Sequence, residues 1–341
     1  MLFDLTEDQS DFRAVVRAFL ARRFPVERLR ALWDTGQADL TPIWAEFAEL
    51  GLFGMAVPED HGGIGASQVE PALALEEAGY AGLPLPLLET AAVAAPLLSE
   101  FGPDELRETW LPRIIAGDAV VSLAIDGSDF VVWGQESDAV VVARGDELHL
   151  VPAERIGWRA LDAEDVTRRL ALASFGALDA ATRITADGAA VTRAHDLARA
   201  ATANLLVGVA QRLLDMVRGY SLERRQFGQL IGSFQALKHR MADIAVAIES
   251  ARGLSWYAAY AASHEPDNAG LAARTAKAAA AAAGYEASRG ALQIHGGIGF
   301  TWEHDLHFWL KRARALEAAY GNASDHRVAI GRAVLAEFAG A

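Results

Sequence analysis

Two stretches place residues able to bind a charged ligand beside compliant backbone. In ERRQFGQLIGSFQ, residues 223–235, Arg224, Arg225, Gln226 and Phe227 end a helical pattern, Gly228 and Gly232 follow, and Phe234 and Gln235 close the stretch. In QIHGGIGFTWEHDLHFWLKRARAL, residues 293–316, a second helical pattern runs from Gln293 to Gly296-Gly297, and a basic helix follows. A guanidinium grips phosphate oxygens in pairs, and glycine lets a ligand approach the backbone closely. Such a set suits the pyrophosphate and adenine of a dinucleotide. Helix capping accounts for the same residues, because arginine at a carboxyl end answers the macrodipole and glycine ends the helix. From spacing alone capping is the more economical reading. HGGIG lacks the preceding strand that a phosphate loop requires.

A third position is Tyr320, in AAYGNASDH, which stands before Gly321 where a helical pattern breaks. Six histidines, His195, His239, His295, His304, His307 and His326, show no ligand spacing for a metal. His304 and His307 lie three apart and read as exposed imidazoles. Trp302 and the segment HFW read as core or subunit-contact residues.

Composition excludes several chemistries. The chain of 341 residues has no cysteine, so it has no disulfide, no thiolate nucleophile and no thiolate-bound metal. A net charge of −14 argues against broad binding to nucleic acid or anionic membrane. No apolar run approaches the roughly 18 residues needed to cross a bilayer, and Met1 leads straight into the acidic stretch LFDLTEDQSDF, so a cytoplasmic protein is expected.

Periodicity divides the chain in three. Residues 1–117 carry i, i+3, i+4 apolar faces, as in FRAVVRAFLARRF and DELRETWLPRIIAG, with a capping box at Thr6 and Gln9 and Pro42 in a first helical turn. VPEDHGGIGAS reads as a loop. Residues 118–190 hold short β-branched runs and the hairpin turn ARGDEL, which predict one small sheet. Residues 191–341 return to long helices rich in small residues, for which a four-helix bundle is the simplest packing. The predicted fold is mainly α with a small β domain, in α–β–α order.

That order, together with LTEDQSDFRAVVRAFL, ELGLFGMAVPEDHGGIG, WLPRIIAGDAVVSLA, ERRQFGQLIGSFQALKHRMADI and QIHGGIGF, resembles the acyl-CoA dehydrogenase family of flavoenzymes. The resemblance implies FAD and the removal of two hydrogens from an acyl-CoA thioester. A glutamate takes the α proton, a hydride leaves for the flavin, and hydrogen bonds stabilise the enolate. It further implies a flavin lying between subunits. By motif match, Arg224, Gln226, Phe227, Phe234, Gln235, Gln293 and Gly297 correspond to the group a bundle lends to its neighbour's adenosine diphosphate arm. The family often carries Thr or Ser in place of Gln226.

The pattern breaks at two places. The family's base is a glutamate before a glycine in the corner after the basic helix, where this chain has Tyr320-Gly321-Asn322. A minority place it early in the first long C-terminal helix, where this chain has Ala198-Arg199. A tyrosine of ordinary pKa, about 10, is phenolate in roughly one molecule per thousand at pH 7. Of its neighbours, Arg312 and Arg314 read as helix-surface residues and Glu317 as their exposed partner. The second break lies in SLAIDGSDFVVWGQESDAVVV, which keeps Gly127-Ser128-Asp129 but lacks the family's preceding Thr-Glu-Pro and much of the hairpin that lines the flavin ring.

Both losses fall on the half-site a subunit builds for itself. The reading they imply is a subunit without a catalytic residue, supporting the FAD of a catalytic partner in an α2β2 heterotetramer. It resembles the paired dehydrogenases of actinobacterial steroid side-chain degradation. Two alternatives stand beside it: an active homo-oligomer using Tyr320 or Glu317 as base, and a flavin-free scaffold of the same fold.

Overall fold

The computed structural model describes residues 4–36 and 39–339; Leu2 and Phe3 of the leading acidic stretch lie outside them. Helix α1, Glu7–Arg23, starts at the expected capping box: Thr6 Oγ1 accepts from the Gln9 amide and Gln9 Oε1 accepts from the Thr6 amide. Helix α2, Val26–Thr35, starts after Pro25 and adds an element to the expected helices. Helix α3, Thr41–Glu49, holds Pro42 in its first turn, where no N–H is needed. The loop that follows leads to α4, Val69–Ala81.

The stretch LETAAVAAPLLSEF is not one regular helix. Leu88–Ala94 is a π-helix, and α5, Ala95–Phe101, continues it. Helix α6, Asp104–Ile115, completes the first helical region.

Two sheets form where one was expected. Strands β1 (Val121–Ala124), β3 (Ala139–Arg144), β4 (Glu147–Pro152) and β7 (Arg183–Thr185) make one, in the order β1-β3-β4-β7. Strands β2 (Phe130–Val131), β6 (Ala171–Phe175) and β5 (Ile156–Ala160) make the other, in the order β2-β6-β5. Gly145 and Asp146 turn the β3–β4 hairpin, with Arg144 opposite Glu147. Strand β3 explains the double layer. Val140 and Val142 join an inter-sheet core with Val131, Ile156 and Ala173, while Ala139, Val141 and Ala143 join the main core. A strand covered on both faces reads as a continuous apolar run, which conceals the second sheet from periodicity.

Helix α7, Gly188–Glu223, is 36 residues long and starts at Asp187, whose carboxylate accepts from the Ala189 amide. A two-stranded ribbon, β8 (Arg225–Gln226) and β9 (Gln229–Leu230), links it to α8, Gln235–His264. Helix α9, Pro266–His295, runs antiparallel to α8, and α10 (Leu306–Ala318) and α11 (Ala323–Ala339) follow. Helices α7, α8 and α9 pack on one another, α11 lies on α9, and α10 lies across α7 and α9. Gly79 and Gly208 let α4 meet α7 at backbone distance: a Cβ on Gly208 would lie 1.9 Å from Glu76 O, and one on Gly79 would lie 2.2 Å from Leu205 O.

Candidate functional site

Three helix ends converge where the sequence carries its Arg–aromatic–Gln motif. Tyr220 of α7 stacks on His295 of α9 with ring centroids 4.5 Å apart, and Arg240 of α8 pairs with Glu286 of α9 at 2.6 Å. Arg224 closes α7, its N–H bonded to Tyr220 O at 2.9 Å. Phe227 and Gly228, with φ of +52° and +79°, form the tip of the ribbon. The expected glycine-opened loop is therefore a tight hairpin. Phe234 caps α8 and meets Phe227 edge-on at 6.2 Å, and Gln235 is the first residue of α8. Gln293 and Gly297 flank the end of α9.

These side chains are largely unspent. Phe227 is 91% exposed, Arg224, Gln226, Gln235 and Gln293 are exposed, and Phe234 is half-buried. Among the described residues the Gln226 amide donates only to the neighbouring Arg225 carbonyl, at 2.8 Å. Arg224 makes no ion pair with a described residue, and a Cβ on Gly228 or Gly297 would meet nothing within 4 Å. An unpaired guanidinium, an open aromatic face and free amides at one end of a bundle fit the phosphate and base of a dinucleotide arm. Ile298, Phe300 and Trp302 extend the surface with further exposed apolar area; Trp302 is not core, whereas Phe308 and Trp309 are.

The corner at Tyr320 has the opposite character. Tyr320 takes φ +55° between α10 and α11, and Gly321 takes +100°, where an added Cβ would lie 2.8 Å from the His326 ring. Lys277, fully buried in the alanine run of α9, donates to Glu317 O at 2.9 Å and Gly321 O at 3.0 Å. Burial pulls its amine down to about 8. His326, also buried, donates from Nε2 to Gly321 O at 3.1 Å. Burial, reinforced by Lys277 and Arg199, depresses its imidazole to about 4. Asn322 Oδ1 accepts the Ser324 and Asp325 amides at 2.9 and 3.0 Å and so starts α11.

None of the expected base positions presents an unpaired carboxylate. Burial, and secondly the Glu89 carboxyl, push the Tyr320 phenol well above its ordinary value, so it stays protonated. Glu317 is paired with Arg314. Ala198 is completely buried inside α7, and Arg199 beside it pairs with Asp196 at 2.8 Å. Arg312 corrects the sequence reading. It is a buried residue that pairs with Asp165, bonds Thr167 Oγ1 and donates to Leu83 O at 3.0 Å. Burial opposes ionisation of Asp165, but Arg312 and the Thr167 hydroxyl outweigh it and hold the carboxyl below its usual range. A buried carboxyl that local pattern does not mark lies near Tyr320: Glu89 in the π-helix, 7% exposed, with its pKa raised by burial against the pull of Arg168 and Arg312.

The β region closes on itself around Gly127-Ser128-Asp129. Asp126 Oδ1 accepts from Ser128 N and Oγ at 3.0 and 2.7 Å, and Asp129 pairs with Arg144. Strand β2 is only two residues long. Among the described residues no group of His, Asp and Glu could hold a metal ion, and no helix is long and apolar enough to cross a membrane. His304 and His307 do not form a pair for a metal; both are half-buried, and His307 Nδ1 bonds the His304 carbonyl at 2.9 Å.

Helices before and after a small β region, the last group a bundle of long helices, define the acyl-CoA dehydrogenase fold. The chain superposes on a subunit in the ChsE4–ChsE5 complex from Mycobacterium tuberculosis with a TM-score of 0.90 and 26% identity, covering 98% of this chain and 99% of that one. A Tcur3481–Tcur3483 steroid ACAD variant gives 0.87 and 27%, with 98% and 99% covered. Residues 6–118 match the acyl-CoA dehydrogenase N-terminal domain and residues 187–335 the C-terminal domain. The acyl-CoA dehydrogenase IpdE2 of Mycolicibacterium smegmatis is 34% identical over 320 residues, 91% of this chain and 93% of that protein. This chain belongs to the acyl-CoA dehydrogenase family.

Proposed function

We propose that this chain is the non-catalytic subunit of a heteromeric, FAD-dependent acyl-CoA dehydrogenase, lending its bundle end to the flavin of a catalytic partner. When bound, the flavin accepts the hydride from the β carbon of an acyl-CoA thioester. Arg224 supplies the charge for the pyrophosphate. Phe227, Phe234, Gln226, Gln235, Gln293 and Gly297 shape and line the surface on which the nucleotide arm rests. The α proton goes to a carboxylate of the partner, because the corner of this chain presents a protonated phenol.

One observation carries the reading: at the base position Tyr320 is held above its ordinary pKa, while the residues at the bundle end stand exposed and unpaired. The likeness to the ChsE4–ChsE5 complex and to a steroid ACAD pair supports a partner subunit and a bulky, steroid-linked thioester. A cytoplasmic location accords with a chain that has no cysteine. Purifying the complex with and without Arg224→Ala tests the reading. Flavin retention should fall with the variant while the complex stays assembled; full retention would contradict the role given to Arg224.

Glu89 favours a second reading, an active chain with a displaced base, since it is a buried carboxyl in a π-helix, an element often found at functional sites. Glu89→Gln in the complex separates the two. Unchanged turnover supports the non-catalytic role, and a loss of a hundredfold or more would assign the base to Glu89.

A further inference from the structure

We propose that the cavity enclosed by α1, α2, α4, α7 and α10 binds a small organic monocarboxylate, with Arg212 as the anion-holding residue. The cavity measures about 260 Å³. Pockets for drug-sized ligands begin at about 300 Å³, so the occupant is smaller. Its walls are mostly apolar, formed by Leu20, Ala21, Phe24, Pro25 and Val26, with Arg212 and the Arg17–Glu77 pair also on the wall.

Arg212 is a half-buried guanidinium clasped by two rings, 5.4 Å from the Tyr80 centroid and 4.8 Å from that of Trp309. Its Nε–H is buried with no acceptor. No carboxylate among the described residues forms an ion pair with it.

The neighbouring carboxylates are already committed. Glu77 accepts from Arg13 Nε and Arg17 Nη2 at 2.7 Å and from Arg17 Nε at 2.8 Å. Asp215 accepts from the Tyr80 hydroxyl at 3.0 Å and from Gln211 at 3.1 Å. The protein therefore places a cation and an idle donor at a mostly apolar cavity, and none of the carboxylates on its wall pairs with that cation among the described residues. Glu27, exposed on the cavity wall, repels multiply charged ligands and favours one carboxylate on an apolar body over phosphate. The Trp309 indole bonds Tyr80 O at 3.1 Å, which fixes the ring wall that holds Arg212.

Titration calorimetry of the full chain with benzoate tests the proposal, with inorganic phosphate as the competing probe. Wild type should bind benzoate saturably at one site, and phosphate should not displace it. Arg212→Met should weaken binding about tenfold or more, as expected on losing a charge-assisted hydrogen bond. Ala21→Trp, at an exposed wall position, should abolish binding by filling the cavity while leaving the thermal midpoint in place. Absence of saturable binding, equal displacement by phosphate, or wild-type affinity in the Ala21→Trp variant would overturn it.

Discussion

The bundle end and the Tyr320 corner are both polar, glycine-broken helix junctions, but they dispose of their polar groups in opposite ways. At the corner, Lys277 and His326 are spent on the carbonyls of Glu317 and Gly321, and Arg312 is spent on Asp165 and Leu83. At the bundle end, Arg224, Gln235 and Gln293 face outward and Phe227 is nearly bare. Groups satisfied within the fold stabilise it, whereas exposed, unpaired groups cost little to keep and remain free for a ligand. Substitutions at the corner should therefore change stability without changing flavin, and those at the bundle end should change flavin without changing stability.

The largest effect is expected at Arg312. Arg312→Met leaves Asp165 buried and unpaired and should cost about 3–5 kcal/mol in urea unfolding, with flavin content per folded complex unchanged. Next comes the pH dependence set by His326. Its folded pKa of about 4 lies below the ordinary 6.5, so the unfolded chain binds the proton more tightly. The stabilisation is complete above pH 6.5 and is lost as pH falls from 6.5 towards 4, a change on the order of 3 kcal/mol. Thermal melts across that window should show a steeper decline for wild type than for His326→Gln.

Smaller in energy is Arg224→Ala, which should weaken flavin retention roughly tenfold to a hundredfold while leaving the unfolding midpoint within about 0.5 kcal/mol. Smallest is Tyr320→Phe. With its phenol already protonated, removing the hydroxyl should alter turnover of the complex by less than about twofold, by steady-state assay. A large loss there would erase the contrast between the two regions.

Much of this was legible in the sequence. The capping box at Thr6, the hairpin at Gly145-Asp146 and the long C-terminal helices each follow from local pattern, and the structure carries them. What stayed hidden depends on tertiary contacts. Both faces of β3 are covered, so its run of valines gave no hint of two sheets. Arg312 reads as a surface residue until the loop carrying Asp165 and Thr167 is folded against α10. Lys277 stands alone in an alanine run, a signal of a buried amine that becomes meaningful only when the α10–α11 corner arrives with its carbonyls. Glu89 was hidden because a π-helix and an α-helix share the same apolar composition.

Native mass and flavin-to-protein ratio, measured on the chain alone and after co-expression with a glutamate-bearing dehydrogenase partner, test the division of labour most directly. The chain alone should carry little flavin, and the mixed assembly should hold it in fewer equivalents than it has subunits. A flavin-saturated homo-oligomer that dehydrogenates acyl-CoA unaided would contradict the account.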